Sequence, residues 1–221
     1  MGFASAANAQ VSASASLTSD YQYRGVSLSD GKPTLSLDIA YDHASGLYAG
    51  GSAIAEDTAT AGVEMLGHVE YAGYSRRVNS ADTWDVGITN QNISKYYDQR
   101  YVLNYAQVYT GLSTAHFSYY VYYSPNYFGT GYRTVYADVS AAFRPARRWR
   151  VFGHAGVLAA FGATGRPQSA YQQYDFRAGV AAQFKGGEVR IIWTTVRPGT
   201  DYLAGQLQSH PTLTLGATAF F

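Results

Sequence analysis

Cysteine is absent from all 221 residues, so neither a disulfide framework nor a thiolate metal site is available to this chain. Charge is scarce as well. Asp, Glu, Lys and Arg together make up 14% of the chain, the formal net charge is +1, and the arginines are scattered rather than gathered into a stripe. That balance gives no reason to expect a nucleic-acid partner. Long apolar runs are also missing: no stretch approaches the ~18 continuous apolar residues that a spanning helix needs, which excludes a helical membrane protein.

Apolar residues nevertheless reach 47% while the mean hydropathy is -0.19. A transmembrane β-barrel gives that blend, because polar residues of the lumen offset those that face lipid. The 21 Tyr and 23 Gly point the same way. Tyr suits a membrane interface, where one end of the ring stays wet, and Gly suits crowded or bent strands. The length fits one large β domain, since barrels and sandwiches run to about 200–250 residues as single units. At the start, Ala7-Asn8-Ala9 before Gln10 has the small residues that end a secretory signal, although Met1 to Ala6 offers no basic or apolar region. Residues 1–9 are read as the remnant of a signal peptide or other leader, and residues 10–221 as the barrel.

The last segment shows the pattern most openly. Leu213, Leu215, Ala217, Ala219 and Phe221 fall on one face of an extended strand, and Thr212, Thr214, Gly216 and Thr218 on the other. A terminal aromatic at the foot of such a strand is the usual ending of bacterial outer-membrane barrels, so Phe221 is read as an assembly signal for the barrel-assembly machinery. Upstream, Val11 to Arg24 alternates for its whole length, long enough for a tilted crossing of about 9–11 residues. Further segments follow from Leu35, Leu47, Val63, Trp84, Tyr101, Phe117, Val135, Trp149, Tyr174 and Val189. The facing of the Leu47–Ala55 and Tyr101–Leu112 segments stays open. Val69 and Tyr71 are placed toward lipid, and loops over Glu56 to Gly62 and Asn90 to Arg100. Lys185-Gly186-Gly187-Glu188 reads as a two-glycine hairpin.

The fold expected is all-β: a single closed antiparallel transmembrane β-barrel of about twelve strands. Connections alternate long and short, and short turns lie on the periplasmic side, so both termini are expected to be periplasmic. A lipocalin-like barrel or a sandwich is the alternative, but neither has a reason to keep that rhythm.

Ser16 to Ser27, then Ser29-Asp30-Gly31-Lys32-Pro33 and His43-Ala44-Ser45-Gly46-Leu47-Tyr48-Ala49-Gly50, closely resemble a proteobacterial family of outer-membrane porins known as the TorF family. Tyr123 to Gly129 and Tyr174 to Val180 look like its later blocks. Gly51 to Ala55 departs from the pattern, where a Trp and an Asn belong, and Asn126 stands where Asp is usual. The resemblance implies a porin barrel and carries no catalytic residues and no established substrate.

The residues expected to line the lumen are Asp20, Arg24, Asp38, Asp42, Glu64, His68, Glu70, Asp85, Asp138, Arg150, His154, Asp175, Arg177 and Arg190. Asp20 and Arg24 lie about 13 Å apart at ~3.3 Å per residue, so each needs a partner on a neighbouring strand. They read either as a charged ring in a permeation path or as a brace. His68 between Glu64 and Glu70 invites a metal or acid–base role, which needs ligands from other strands. A hydrolase needs a nucleophile, a His base and an orienting group together, yet His43 and His116 fall in turns, His68 and His154 at mid-barrel, and His210 alone near the outer rim. The function expected is therefore no enzyme and no cofactor, but passive passage of small hydrophilic solutes or ions, weakly cation-selective. A non-conducting structural, adhesive or lipid-handling barrel is the alternative. Outer-membrane lipid and lipopolysaccharide, the assembly machinery and the permeating solutes are the partners expected.

Overall fold

Alternation of apolar and polar residues along nearly every segment lets a strand bury one face in each of two media, and a sheet of such strands has to close to leave no bare edge. The structure, a computed structural model, describes residues 10–58, 62–93, 103–129, 131–162, 171–197, 200–201, 206–207 and 211–221. The expected leader, residues 1–9, and His210 lie outside them.

Twelve strands form one closed antiparallel barrel. In chain order they are β1 (Gln10–Thr18), β4 (Thr34–Asp42), β5 (Leu47–Thr58), β6 (Gly62–Arg77), β7 (Thr83–Ile93), β8 (Leu103–Ser113), β9 (Phe117–Ser124), β10 (Arg133–Ala146), β11 (Trp149–Phe161), β12 (Tyr171–Phe184), β13 (Gly187–Arg197) and β16 (Thr212–Phe220). Two small pairs, β2 (Gln22–Tyr23) with β3 (Val26–Ser27) and β14 (Thr200–Asp201) with β15 (Gln206–Leu207), stand apart from the ring. Each barrel strand pairs with its sequence neighbour, and β1 closes on β16. That seam registers Ser14–Thr18 against Phe220–Gly216 and is extended by Phe221 N–H donating to the Ala13 carbonyl at 2.9 Å. Gln10 and Phe221 lie at the end of the barrel that carries the short turns.

Leu17, Leu37, Ile39, Ile88, Val108, Leu213 and Leu215 are exposed on the outer face, as alternation predicts. Inside, aromatic rings lie over glycines directly opposite on the next strand: Tyr71 over Gly50, Tyr48 over Gly73, Tyr109 over Gly87, Tyr120 over Gly111 and Phe152 over Gly179. These glycines are needed for room. A β-carbon on Gly87 would stand 2.6 Å from both the Ala72 carbonyl and the Tyr109 hydroxyl.

Four expectations are corrected. First, the barrel strand β1 ends at Thr18 and not at Arg24: Asp20 to Arg24 belongs to the first loop, where Gln22–Tyr23 pairs only with Val26–Ser27. Second, β5 runs through Thr58 and β7 through Ile93, so parts of two expected loops are strand. Third, the hairpin after β12 turns at Lys185-Gly186, and Glu188 belongs to β13. Fourth, pairing between β5 and β6 slips between Ile54 and Ala55, opposite Gly67 and Met65, so that Leu66 is an extra residue. Such a bulge swaps the faces of everything beyond it. Leu66 is fully buried, Val69 and Tyr71 turn inward, and His68 and Glu70 turn outward. The open facings also resolve: Tyr48, Ser52, Ile54 and Glu56 point inward on β5, and Tyr105, Gln107 and Tyr109 on β8.

Candidate functional site: the barrel interior

The first long loop folds into the barrel instead of standing above it. Its apolar side, Val26 and Leu28, packs on Ile54, Leu66 and Ile93 of the wall, so the bulge residue is the seat of the loop. Asp20 fastens the loop from within: its carboxylate accepts from Ser27 Oγ at 2.5 Å, Ser29 Oγ at 3.0 Å and Gln22 Nε2 at 2.8 Å. The expected partner on a neighbouring strand is thus replaced by partners inside the loop. Burial also pushes the Tyr21 hydroxyl up to about 12, so it stays a neutral phenol in the same loop.

Arg24 and Gly25 form the tip, both in the left-handed region. Left-handed backbone costs a non-glycine residue roughly 1–2 kcal/mol, and here the return is a cation held among aromatic rings. The guanidinium lies 3.8 Å from the Tyr136 ring centre, 4.9 Å from Tyr23 and 5.4 Å from Tyr122, and donates to Gln107 Oε1 at 3.2 Å. Desolvated cation–π contacts are worth about 2 kcal/mol. A β-carbon on Gly25 would come within 2.9 Å of Val196, so the tip presses against the far wall. Tyr127 and Phe128, from the turn between β9 and β10, fold in beside it against Tyr105. Both lie in the Tyr123 to Gly129 block, whose density of rings is the sequence signal for their burial.

Beneath the loop the wall charges separate. Ring order sets β7 six places from β13 and β5 six places from β11, so these strands face one another across the lumen. On one side Asp85 accepts from Tyr48 at 2.5 Å and Tyr120 at 3.0 Å, and Asp38 accepts from Ser14 at 3.2 Å and from Ser52. On the other, Arg150 grips both oxygens of buried Glu188 at 2.7 and 2.8 Å, and Arg190 reaches the same carboxylate at 3.6 Å. Between them His154 is held at both ring nitrogens. Nε2 meets Tyr136 at 2.9 Å and Asp175 at 3.1 Å, and Nδ1 meets Ser140 at 2.8 Å and Asp138 at 4.0 Å. This network ties β10, β11 and β12 together through their inner faces.

Three interior cavities, of about 320, 390 and 300 Å³, adjoin these groups, and Arg177 lines all three. Of the lumen residues expected, Asp38, Asp85, Asp138, Arg150, His154, Asp175, Arg177 and Arg190 therefore face the interior on strands. Asp42 lies at the short-turn end of β4, and Glu64 lies opposite buried Glu56 near the long-loop end. His68 and Glu70 are the errors: with Glu64 facing in and these two facing out, the three do not converge on one centre. Glu56, Gln107 and Glu188 are buried interior groups that sequence reasoning missed.

A family model described as a bacterial protein of unknown function, Gcw_chp, matches residues 3–201. The chain belongs to the Gcw_chp family. Comparison of this Gcw_chp chain with curated protein sequences finds no match. Among solved structures it is similar to the NanC porin, at TM-score 0.59 and 8% identity, covering 96% of this chain and 100% of that one. It is similar also to the KdgM porin, at TM-score 0.56 and 12% identity, covering 95% and 99%. A complex of KdgM with disordered oligogalacturonate matches at TM-score 0.52 and 11% identity, covering 96% and 98%. At such identities the likeness is one of fold, and the fold of this Gcw_chp barrel is that of outer-membrane porins. The narrower likeness to the TorF family rests on the sequence motifs alone.

Proposed function

We propose that this chain sits in the bacterial outer membrane, with both termini periplasmic, as a porin giving passive passage to small hydrophilic solutes or ions. The observation that carries the reading is the set of interior cavities that share the charged side chain of Arg177. Twelve strands lie between the small filled barrels of about eight and the open channels of 16–18, and the inserted first loop narrows the path further. Interior carboxylates outnumber guanidinium groups even with Glu70 removed, since Glu56 and Glu188 join them. A wet path with that excess favours cations weakly, and screening within about 8–10 Å makes the preference fade as salt rises. The KdgM complex holds an oligomer of acidic sugars. The arginine wall here is faced by carboxylates and partly neutralised by Glu188, which favours the opposite sign.

Planar-bilayer recording with reversal potentials across a salt gradient tests this. Small conductance with a modest cation preference is the expected result, and Arg24→Ala, which frees the loop tip, raises the conductance. Anion selectivity would overturn the charge argument. Silence at every voltage, in the variant as well, would move the protein to the non-conducting structural, adhesive or lipid-handling alternative. Phe221, 81% exposed at the periplasmic rim, is proposed as the residue read by the assembly machinery. Its deletion lowers the amount assembled in outer-membrane fractions more than Phe220→Ala does; equal losses would remove that role.

A further inference from the structure

The slip at Leu66 turns two ionisable side chains onto the outer wall, where charged groups are costly at the bilayer midplane and less so toward its interfaces. His68 and Glu70 are respectively 46% and 59% exposed there. They are not alone. Asn90 and Asn92 on β7 face outward in register with Glu70 and His68. Asn90 Nδ2 donates to Glu70 Oε2 at 3.1 Å, and His68 Nε2 lies 3.0 Å from Asn92 Nδ2 and 3.3 Å from Glu70 Oε1. Glu70 lies seven residues from the short-turn end of β6, about 18 Å up an apolar band about 25 Å tall, for ~3.3 Å per residue and a tilt of ~40°. At the same seven-residue height β4 carries exposed Leu35 and β16 exposed Leu213.

Beside this cluster and toward the short-turn end, the outer wall is hollowed. A groove of about 560 Å³ spans two rows across β6 to β9: Glu70, Asn90 and Ala106 in register form its upper edge, and Ala72, Ile88, Val108 and Tyr123 the row nearer the short turns. Polar groups above and an apolar groove below match a lipid of the outer leaflet, head outward and chain toward the bilayer centre. The chemistry of the cluster narrows the head. A carboxylate repels phosphate, so any phosphate of the head lies off the cluster, whereas two carboxamides, an imidazole and a carboxylate offer mixed donors and acceptors to its hydroxyl and amide groups. We propose that this face of the barrel binds one outer-leaflet glycolipid, with a fatty acyl chain in the groove and the hydroxyl and amide groups of an acylated amino sugar on His68, Glu70, Asn90 and Asn92. This inference rests on the outer-membrane placement proposed above.

The test is native mass spectrometry of the detergent-solubilised full chain titrated with lipid A, and in parallel with phosphatidylethanolamine. Two variants accompany it: Ala106→Trp, which fills the groove, and the pair His68→Leu with Glu70→Leu, which removes the polar cap. Heat-modifiable migration of all three proteins shows that the barrels are formed. One lipid A per barrel is expected on the wild type, with binding weakened about tenfold or more in both variants while bilayer conductance stays unchanged. Lack of an adduct, or equal binding in the variants, would overturn the proposal. Equal binding of phosphatidylethanolamine would replace a glycolipid site with a general lipid groove. A twofold mass in the wild type that disappears in the variants would assign the face to a second copy of this chain. Failure of the outer-membrane reading shows separately, as wild-type protein that is not heat-modifiable and does not fractionate with the outer membrane.

Discussion

Asp85 and Arg190 stand on strands six places apart in a ring of twelve, and they are held in unlike ways. Asp85 takes its hydrogen bonds from neutral phenols, Tyr48 and Tyr120, and those rings rest on glycines of the adjacent strands. Arg190 shares Glu188 with Arg150, so its wall satisfies charge with charge. A carboxylate held by neutral donors keeps its full field in the lumen, whereas a guanidinium beside a carboxylate loses much of its own. The comparison teaches that the electrical character of such an interior depends on how each charge is satisfied as much as on how many there are.

The largest expected effect strikes the support of the phenols. Gly87→Val overpacks the site under Tyr109, whose hydroxyl lies 2.6 Å from that of Tyr48, by about 1–3 kcal/mol or more, because the obstructing Ala72 carbonyl is backbone. The heat-modifiable fraction and the urea midpoint both fall. Gly153→Ala on the arginine side, where the nearest atom would be 3.6 Å away, leaves both nearly unchanged; a large loss there would remove the distinction. Next is Glu188→Gln, which leaves two guanidinium groups without their carboxylate and costs about 1–3 kcal/mol. The smallest is Asp85→Asn, about 0.5–1.5 kcal/mol, since a carboxamide oxygen still accepts from one phenol. Both charge variants shift the reversal potential toward anions by a similar step. Equal stability losses in urea titration would break the comparison, and an unmoved reversal potential for Asp85→Asn would place that carboxylate outside the conducting path.

The residues that carried the fold were readable because lipid and lumen impose opposite demands on successive side chains. From β9 to β13, and again in β16, the facing follows from alternation, and Asp138, Arg150, His154, Asp175, Arg177 and Arg190 lie on the inner face of the wall. Alternation fails where one residue is added. Met65-Leu66-Gly67 sets two large apolar residues side by side before a glycine, the local mark of a bulge, and reading through it put His68 and Glu70 in the lumen. Asp20 to Arg24 continues the alternation of β1 for five more residues although the chain has left the sheet. Only the serines at 27 and 29, which satisfy Asp20 locally, distinguish the two states. The left-handed backbone of Arg24, Asp30 and Phe128 left no mark in residue type, since none is glycine. Pairing of Tyr over Gly was hidden for another reason: it depends on register between strands that sequence alone does not align.

The seam between β1 and β16 also orders events in time. Ser16 and Thr218 share a hydroxyl contact at 2.9 Å across 202 positions of chain, so the earliest strand waits for the latest. The distance itself is a mild obstacle, for each doubling of loop length adds only about 0.6 kcal/mol. What matters is the interval of waiting. Until β16 arrives, β1 and β13 each present a row of unpaired amides and carbonyls, which in hydrocarbon have no water to turn to and in water invite a stranger's strand. Completion is therefore a single late event, and a half-made chain is not a smaller barrel but a sheet with two open sides that has to be sheltered until its last residues exist.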